Sequence, residues 1–406
     1  MIPRGAPDIS WTDLGVGLLG CCQPGAPAGV QARVEARWSP KHDSLACLSV
    51  RSGFDLVLQA LELPLGSEII VSALTIRDMC RIIEHHGLVT VPIDVEPNTL
   101  AVDAAQIERL IGPRTRAILV AHLFGSRMPL DSLIDVARRH RLLVLEDCAQ
   151  AYDGSAYRGH PEGDVSMFSF GPIKTSTALG GALLRFRDQS LLDKVRHRQA
   201  GYPVQRRREF VRRVALFAML KLLARPFPLL LFITFLRLRG HDHDQVLSQA
   251  VRGFPGGDLM RRLRRRPSTP LLRLLDRRLG TAMPAQVEWR RVLAQRLAGA
   301  MPAVRRPGAH ASPHAHWVLP IESSDPDTLV RLLWASGFDA TRHASSLTVV
   351  RPGAEPAAVT NTRVADMMEH LLYVPIHPDM SQDAIVRLGR IVGEFERARG
   401  ATVAVG

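Results

Sequence analysis

The stretch from Leu143 to Leu184 constrains the possible fold more than any other part of the chain. Its first apolar run stops at two acids, Glu146 and Asp147, and a second strand-like run, 165–170, leads into Lys174. Ligands of open α/β sheets bind beyond the carboxyl ends of the strands, so an acid and a lysine there can share one ligand. Pyridoxal phosphate (PLP) is such a ligand, because a lysine holds it covalently while a buried carboxylate keeps its ring nitrogen protonated.

Strand-like and helix-like runs alternate on the amino-terminal side of this stretch. We predict strands at 68–71, 88–93 and 116–121, and helices at 104–111 and 130–140. Strands that alternate with helices of about ten residues indicate a mostly parallel sheet. The predicted fold class is therefore α/β.

Three motifs in this region resemble the DegT-type sugar aminotransferases, a family of PLP fold type I. They are EDCAQAY at 146–152, FSFGPIK at 168–174 and GGALL at 180–184, in the order and spacing of that family. The resemblance is close over residues 45 to 202 and looser over 280 to 395. It implies a large PLP-binding domain followed by a smaller α+β domain.

The resemblance also implies roles for individual residues. Lys174 matches the lysine that holds PLP and moves protons during the reaction. Asp147 matches the acid paired with the pyridine nitrogen, Gln150 the glutamine beside the ring hydroxyl, and Ser169 a phosphate-binding serine. Glu146 is expected to be structural.

Other positions depart from the family pattern. Phe54 replaces a threonine at a helix start, so we expect the backbone N–H groups of Gly53 and Phe54 to hold the phosphate. Ile76 replaces an aromatic residue that stacks on the ring, which leaves only a dispersion contact. Gln199 replaces an asparagine that reaches the phosphate of the neighbouring subunit.

Histidines near strand ends have plain explanations. His122 follows the strand at 116–121, and we interpret it as a structural hydrogen-bonding residue rather than an acid or base. His310, His314 and His316 lie in a run with strand character and are predicted to form a polar strand face. No carboxylate or cysteine cluster accompanies them, so we predict no metal site.

The length of 406 residues predicts more than one domain. Its five cysteines have no metal-binding spacing, and its first residues lack an apolar signal region, so we expect a reduced cytoplasmic protein. Four units are predicted: an amino-terminal segment that packs on the body (1–45), the PLP-binding domain (46–202), a basic and hydrophobic helical insertion (203–280), and a small carboxyl-terminal domain (281–406).

The insertion carries the entire charge imbalance. The net charge is +13, and residues 201–280 hold 18 Lys and Arg against 5 Asp and Glu, which leaves the remaining chain neutral. Within it, 214–236 is apolar. Fifteen apolar residues favour membrane insertion by roughly 7 kcal/mol, but Lys221 and Arg225 oppose it by about 6 kcal/mol.

The topology favours a shallow attachment to the membrane. If residues 281–395 complete the same enzyme, both flanks of the insertion lie on one side of a bilayer. We therefore predict a helical hairpin, bent at 225–228, that lies on an anionic cytoplasmic leaflet with its arginines at the headgroups. A buried dimerisation hairpin is the alternative. Nucleic-acid binding is disfavoured, because the aromatic residues do not alternate with the arginines.

The resulting hypothesis is a homodimeric PLP-dependent aminotransferase. The resemblance implies an amino-acid donor, which is usually glutamate in that family, and a keto-sugar acceptor. The insertion suggests that the acceptor is an envelope or lipid-linked precursor. Two alternatives stay open. One is a PLP-dependent or pyridoxamine-phosphate-dependent sugar dehydratase, although those relatives carry histidine where this chain has Lys174. The other is a catalytically silent scaffold on the same fold.

Overall fold

The computed structural model describes residues 1–23, 25–239, 246, 258–281, 284–351, 362–378 and 380–403. Its helices are α1 (Trp11–Cys22), α2 (Pro27–Trp38), α3 (Val50–Leu61), α4 (Arg77–His85), α5 (Ala104–Leu110), α6 (Asp131–Arg139), α7 (Gln189–Ala200), α8 (Arg207–Leu223), α9 (Pro226–Leu238), α10 (Leu259–Leu263), α11 (Thr269–Gly280), α12 (Pro284–Ala300), α13 (Pro326–Ala335), α14 (Thr362–His370) and α15 (Gln382–Val403). Its strands are β1 (Ser44–Cys47), β2 (Glu68–Ser72), β3 (Leu74–Ile76), β4 (Val89–Ile93), β5 (Thr115–Ala121), β6 (Leu143–Asp147), β7 (Val165–Ser169), β8 (Ala182–Phe186), β9 (Leu319–Glu322), β10 (Leu347–Val349) and β11 (Leu371–Val374).

A seven-stranded sheet forms the centre of the large domain, in the order β1-β8-β7-β6-β5-β2-β4. Strands β4, β2, β5, β6 and β7 run parallel, and β8 is antiparallel to both of its neighbours. The prediction of an α/β fold with a mostly parallel sheet is confirmed. Because β5, β6 and β7 end side by side, the residues at their carboxyl ends meet at one edge.

The two faces of the sheet are buried by different helices. Ile69 contributes to a core shared with α3, α4 and α7, whereas its neighbour Ile70 contributes to a core shared with α5 and α6. Successive side chains of a strand point to opposite faces, so apolar runs without alternation are what a doubly covered strand requires. This burial explains why the strands at 68–72 and 115–121 are recognisable in the sequence.

The amino-terminal segment and the insertion share one hydrophobic core. Helices α1 and α2 pack against α8 and α11, with buried contributions from Leu14, Val34, Phe210 and Leu274. Residues 1–45 therefore lie along the body as predicted, but they contact the insertion as well as the large domain. The predicted boundaries at 45, 202 and 280 stay predictions, and extensive packing crosses them.

The apolar part of the insertion forms a corner rather than the predicted hairpin. Helix α8 ends at Leu223 and α9 begins at Pro226, with an angle of 104° between α8 and Phe227–Leu236. No single helix within the described residues has the length and apolar composition needed to cross a membrane, whereas this bent pair does when taken together. The part of the predicted insertion at 240–257, apart from residue 246, lies outside the described residues.

Several arginines of the insertion are used inside the protein. Arg264 forms an ion pair with Asp55, and Arg265 forms one with Glu209. The expectation that the run 261–266 lies at lipid headgroups is therefore wrong for these two residues, because buried or half-buried carboxylates hold them. Arg208 and Arg212 are exposed near the start of α8.

The small domain is α+β, as predicted. Strands β9 and β11 pair antiparallel and pack with α12, α13 and α15 around one apolar core. Helix α13 is followed by Gly337, whose φ of 87° favours glycine and matches the predicted helix end. The predicted strand character of 314–319 is wrong for most of that run, because β9 begins only at Leu319.

A buried ion pair connects the amino-terminal segment to α11, and it provides a stability test. Asp13 and Arg278 are each 4% exposed, with 2.8 Å between carboxylate and guanidinium. Burial raises the pKa of Asp13, but Ser10 and Arg277 outweigh it, so the pKa lies below its usual value. Asp8 is a second carboxylate on Arg278, at 3.0 Å. We expect Asp13→Asn to lower the free energy of unfolding by about 2–4 kcal/mol, because it removes the carboxylate that Arg277 and Arg278 share and leaves their charge only partly compensated.

The measurement is urea denaturation at several pH values. A carboxyl group whose pKa is lower in the folded protein stabilises the fold at pH values above its unfolded pKa of about 4. The difference in unfolding free energy between wild type and variant should therefore shrink below about pH 4. Asp276→Asn is the matched control, because Asp276 pairs with half-exposed Arg37 and should cost about 1 kcal/mol or less. Equal effects of the two substitutions would contradict the prediction.

Candidate active site

Lys174 lies in the loop after β7, at the edge where β5, β6 and β7 end. Its Nζ lies 3.9 Å from the ring centroid of Trp317, a cation–π distance, and the Trp317 Nε1–H donates to the carbonyl of Ile173 at 2.7 Å. Burial lowers the pKa of Lys174 from 10.5 to about 7; Asp147 opposes the shift, and Arg51 adds to it. A substantial fraction of this amine is therefore neutral and nucleophilic near neutral pH.

Asp147 is the last residue of β6 and is 8% exposed. Its Oδ1 accepts the N–H of Ala149 at 2.9 Å. Burial raises the pKa of this carboxyl group, although the Ala149 N–H and the charge of Lys174 oppose the shift. Strand β6, which ends at Asp147, pairs with β7, and the loop after β7 carries Lys174. The two predicted residues therefore lie at one edge of the sheet, and each contributes to the pKa of the other.

Gln150 and Ser169 line a narrow cleft together with Thr175 and Trp317. The Oε1 of Gln150 accepts the N–H of Phe124 at 2.7 Å, which fixes the side chain and leaves its amide group as a donor. Ser169 ends β7, two residues beyond Met167, which is the residue that pairs with Asp147 in the sheet. The sheet thus places both residues on the same edge as Lys174.

Two residues of the predicted phosphate cradle lie elsewhere than expected. Helix α3 already begins at Val50, with Ser49 as its N-cap, so the N–H of Gly53 donates to the carbonyl of Ser49 at 3.0 Å. Phe54 is fully buried in the core of the large domain. The first amides of the helix, which have no intrahelical backbone acceptor, precede Gly53 in the chain and belong to residues 50–52. The N–H of Ser52 already donates to the Ser49 hydroxyl at 3.1 Å, which leaves the N–H groups of residues 50 and 51 as the candidate donors. The helix start is therefore retained as a candidate anion site, with different donors.

The other departures from the family pattern are also located. Ile76 ends β3, is partly buried and packs against the core beside the site. Gln199 is 3% exposed; its Nε2 donates to the carbonyl of Ala46 at 2.9 Å, and its Oε1 accepts from Gln31 at 3.1 Å. Both ends of Gln199 are thus bonded within the subunit, which argues against the suggested contact with a neighbouring phosphate.

Glu146 is structural, as predicted, and lies at the centre of a buried network. Its carboxylate accepts hydrogen bonds from the Ser166 hydroxyl at 2.8 Å, the Tyr157 hydroxyl at 2.9 Å and the His160 N–H at 2.8 Å. His122 contacts it through Nε2 at 3.3 Å, while its Nδ1 accepts the Met128 N–H at 3.1 Å. The Met128 bond fixes the tautomer with the proton on Nε2, so His122 serves as a structural donor.

Burial raises the pKa of Glu146, but the bonds from His122 and Ser166 outweigh that effect and leave the pKa below its usual value. The ligand atoms of His122, Glu146 and Cys148 lie within 4.8 Å of one another, a spacing that a metal could use. The carboxylate is already occupied by several donors, and the pKa of the Cys148 thiol is raised by burial. The cluster is therefore explained by its hydrogen bonds.

His314 and His316 lie in the loop before β9 and not on a strand. Their rings stack with 4.0 Å between the centroids. Burial and the charge of Arg291 lower the pKa of His314 to about 3 and that of His316 to about 4. The predicted polar strand face is wrong, because the pair packs as neutral rings beneath the site.

A cavity of about 900 Å³ opens beside Lys174. Trp317 and Arg290 line it next to the lysine, and α8 and α9 also contribute to its wall. Neither residue is predicted as a site residue from the sequence. Trp317 lies in a run whose alternation resembles a strand, and Arg290 lies on a helix with two other arginines, so neither has a distinguishing pattern.

Residues 32–219 match the model of the DegT/DnrJ/EryC1/StrS aminotransferase family. The matched residues make up just under half of the chain. A curated relative, the GDP-perosamine synthase of Caulobacter vibrioides, is 38% identical over 159 residues, which cover 38% of this chain and 42% of the relative. The chain thus matches less than half of the length of that relative.

Solved structures extend the similarity of the fold over the whole chain. The sugar aminotransferase CalS13 from Micromonospora echinospora superimposes with a TM-score of 0.69 at 21% identity, over 97% of this chain and 100% of that one. A putative sugar aminotransferase from Streptococcus pneumoniae in its PMP form gives 0.69 at 17% identity, over 100% of both chains. The region matched by the family model, the insertion and the small domain therefore belong to one fold, which the chain shares with these structures.

The residues of the site fit PLP chemically. An amine with a pKa of about 7 can react with an aldehyde, and a buried carboxyl group beside it suits a pyridine nitrogen. Arg51 adds positive charge near both groups, and the start of α3 adds backbone donors for a phosphate.

Covalent trapping tests this assignment. Cofactor-free protein incubated with PLP and reduced with borohydride should carry one adduct, at Lys174, and Lys174→Ala should carry none. Only the neutral amine reacts, so the initial rate should rise with pH up to about 7 and then level off. The matched control is Lys194→Ala, which removes an exposed lysine and should leave the adduct unchanged. Mass spectrometry of peptides locates the adduct, and a rate that keeps rising toward pH 10 would contradict the assignment.

Proposed function

We propose that this protein is a PLP-dependent aminotransferase that moves an amino group from an amino acid to a keto-sugar acceptor. The single observation that carries the proposal is the coupling of Lys174 and Asp147 in one buried site. The DegT-family domain and the sugar aminotransferase relatives support the same activity.

PLP supplies an electron sink that makes a proton on the carbon next to the amino group removable. Lys174 is placed to accept that proton and return it one position away, because about half of its amine is neutral near pH 7. With PLP bound, Asp147 at the end of β6 would hold the ring nitrogen. Gln150 and Ser169 would offer an amide and a hydroxyl to the ring substituents.

The donor, the acceptor and the assembly belong to the same proposal. We expect glutamate as donor, a keto sugar or a related envelope or lipid-linked precursor as acceptor, and a homodimer with sites near the subunit boundary. A reactive lysine in the site supports transamination over the two alternatives. The sugar dehydratases of this kind carry histidine at the position of Lys174. A catalytically silent scaffold would not require a buried lysine with a lowered pKa.

The reaction with glutamate alone tests the activity. Wild-type protein loaded with PLP should lose its visible absorption band when glutamate is added, as the amino group is taken up. Asp147→Asn should slow this change by about 10²-fold or more, because the ring nitrogen loses its acidic partner. Asp135→Asn on the exposed face of α6 is the control and should react like wild type. A wild-type protein that binds PLP but never reacts with any amino acid would favour the silent scaffold.

We also propose that the protein attaches peripherally to an anionic membrane surface, at the inner face of the cytoplasmic membrane. Phe227, Leu231 and Phe235 on α9 are 69%, 56% and 51% exposed, and Leu222 on α8 is 56% exposed. Arg225 at the corner is exposed, and the guanidinium of Arg239 lies 4.8 Å from the ring centroid of Phe235, so positive charge borders this apolar surface. An apolar face bordered by positive charge is typical of a segment that lies in the headgroup region.

Vesicle flotation tests the attachment. Wild-type protein should float with phosphatidylcholine vesicles that contain phosphatidylglycerol, less well at high salt. Leu231→Asp combined with Phe235→Asp should abolish flotation, because two charges would enter the apolar layer. Leu65→Asp, at a leucine on the large domain that is 84% exposed, should leave flotation unchanged. Flotation that survives the double substitution, or a wild-type protein that stays at the bottom at low salt, would refute attachment through α9.

A further inference from the structure

We propose that the cavity beside Lys174 binds an acceptor that carries a hydrocarbon chain, and that α8 and α9 form the wall against which this chain lies. The proposal rests on the aminotransferase function above and assigns the insertion a part in substrate binding. It is independent of where the protein resides in the cell.

The lining of the cavity is chemically mixed. Lys174, Trp317 and Arg290 line it near the reacting amine. Most of its other charged lining residues are already paired with one another, Arg4 with Asp339 and the arginines 277 and 278 with the aspartates 8 and 13. The insertion contributes an apolar wall whose members come from the end of α8, the corner and the first turn of α9. These are Phe217, Leu220, Leu223, Ala224 and Leu229.

Apolar residues from outside the insertion line the cavity as well, and one of their segments adjoins the corner, because His377 contacts the carbonyl of Ala224 at 3.2 Å. Val374, Ile376 and Pro378, which follow β11, line the cavity from the small domain, and Pro3 and Ala6 line it from the amino-terminal segment. The volume of about 900 Å³ lies near the upper end of the range for small-molecule sites. A polar sugar alone would leave these apolar walls in contact with water. An alkyl or isoprenoid chain would remove them from water, which favours binding by about 0.8 kcal/mol for each buried methylene group.

Helix α9 links this cavity to the surface of the protein. Leu229 is 2% exposed and lines the cavity, whereas Leu231, two residues further on, is 56% exposed. The same helix therefore presents one apolar side to the cavity and another to the outside. A chain that extends from a bilayer would meet apolar side chains along this helix.

Two cations adjoin the proposed chain site. Lys221 on α8 lines the cavity. Arg290 donates to the Thr175 hydroxyl at 3.1 Å, while its buried Nε has no hydrogen-bond partner among the described residues. A buried guanidinium N–H without an acceptor favours an anionic ligand group. The chemistry of the cavity therefore fits a chain joined to its head through a phosphate or another anionic group.

Direct binding of farnesyl phosphate, measured by calorimetry on PLP-loaded protein below the micelle-forming concentration, tests the proposal. Wild type should bind it at least tenfold more tightly than isopentenyl phosphate, whose chain is one third as long. Ala224→Trp places an indole at the apolar wall of the cavity and should weaken farnesyl phosphate binding at least tenfold. Leu231→Trp, the same indole on the outer side of α9, is the matched control and should change the affinity less than twofold.

Other results would overturn the inference. Equal affinity for the two phosphates would show that the anionic group alone is bound. Equal weakening by both tryptophan substitutions, or by neither, would place the chain outside the cavity. Thermal unfolding monitored by circular dichroism checks that Ala224→Trp is folded, and Leu223→Trp replaces it if it is not.

The reaction with glutamate separates this inference from the proposed function. That reaction needs no acceptor, so Ala224→Trp should retain the wild-type rate. If wild type binds farnesyl phosphate but does not react with glutamate, the proposed function fails while the chain site stands. If wild type reacts with glutamate but binds no farnesyl phosphate, only the chain site fails.

Discussion

The proposed chemistry depends on the removal of one amine from water. An ammonium group in a buried position loses hydration, so the neutral form of Lys174 becomes accessible near pH 7, and Asp147 sets how far this shift goes. Both groups are carried by the rigid edge at which β5, β6 and β7 end. Trp317 closes the space above the amine from the small domain. The lowered pKa of Lys174 therefore results from the packing of two domains and not from any single segment.

Much of this arrangement is readable in the sequence, because it follows from short-range patterns. The apolar runs of β2, β5 and β6 have no polar alternation, which is what burial on both faces demands. The acids at the end of β6 and the lysine after β7 keep a fixed spacing, so Lys174, Asp147, Gln150 and Ser169 were found together. The predicted phosphate donors, Gly53 and Phe54, are wrong because the sequence does not define the first residue of α3 to better than about three positions. A serine N-cap at Ser49 moved the free amides ahead of Gly53.

Features that depend on distant contacts escaped the sequence analysis. The insertion contains enough apolar residues for a membrane segment, and its composition does not reveal that one face of α8 is already covered by α1 and α11. In the same way, Arg264 and Arg265 belong to a basic run, yet their carboxylate partners lie more than fifty positions away in the chain. The run 314–317 alternates like a strand and is a loop instead, because its residues pack against the site and pair with no strand over its full length.

The first residues of the chain tie the small domain to the loop that carries the lysine. Ile2 bridges to Phe338, Arg4 pairs with Asp339 at 2.7 Å, and Asp8 accepts the N–H of Ser176 at 2.8 Å. Through Asp8, this amino-terminal segment contacts the backbone two positions beyond Lys174. A rotation of the small domain relative to the sheet would therefore pull directly on the lysine loop. Domain closure and the position of the amine are mechanically coupled, and the coupling passes through a segment that contributes no group to the chemistry.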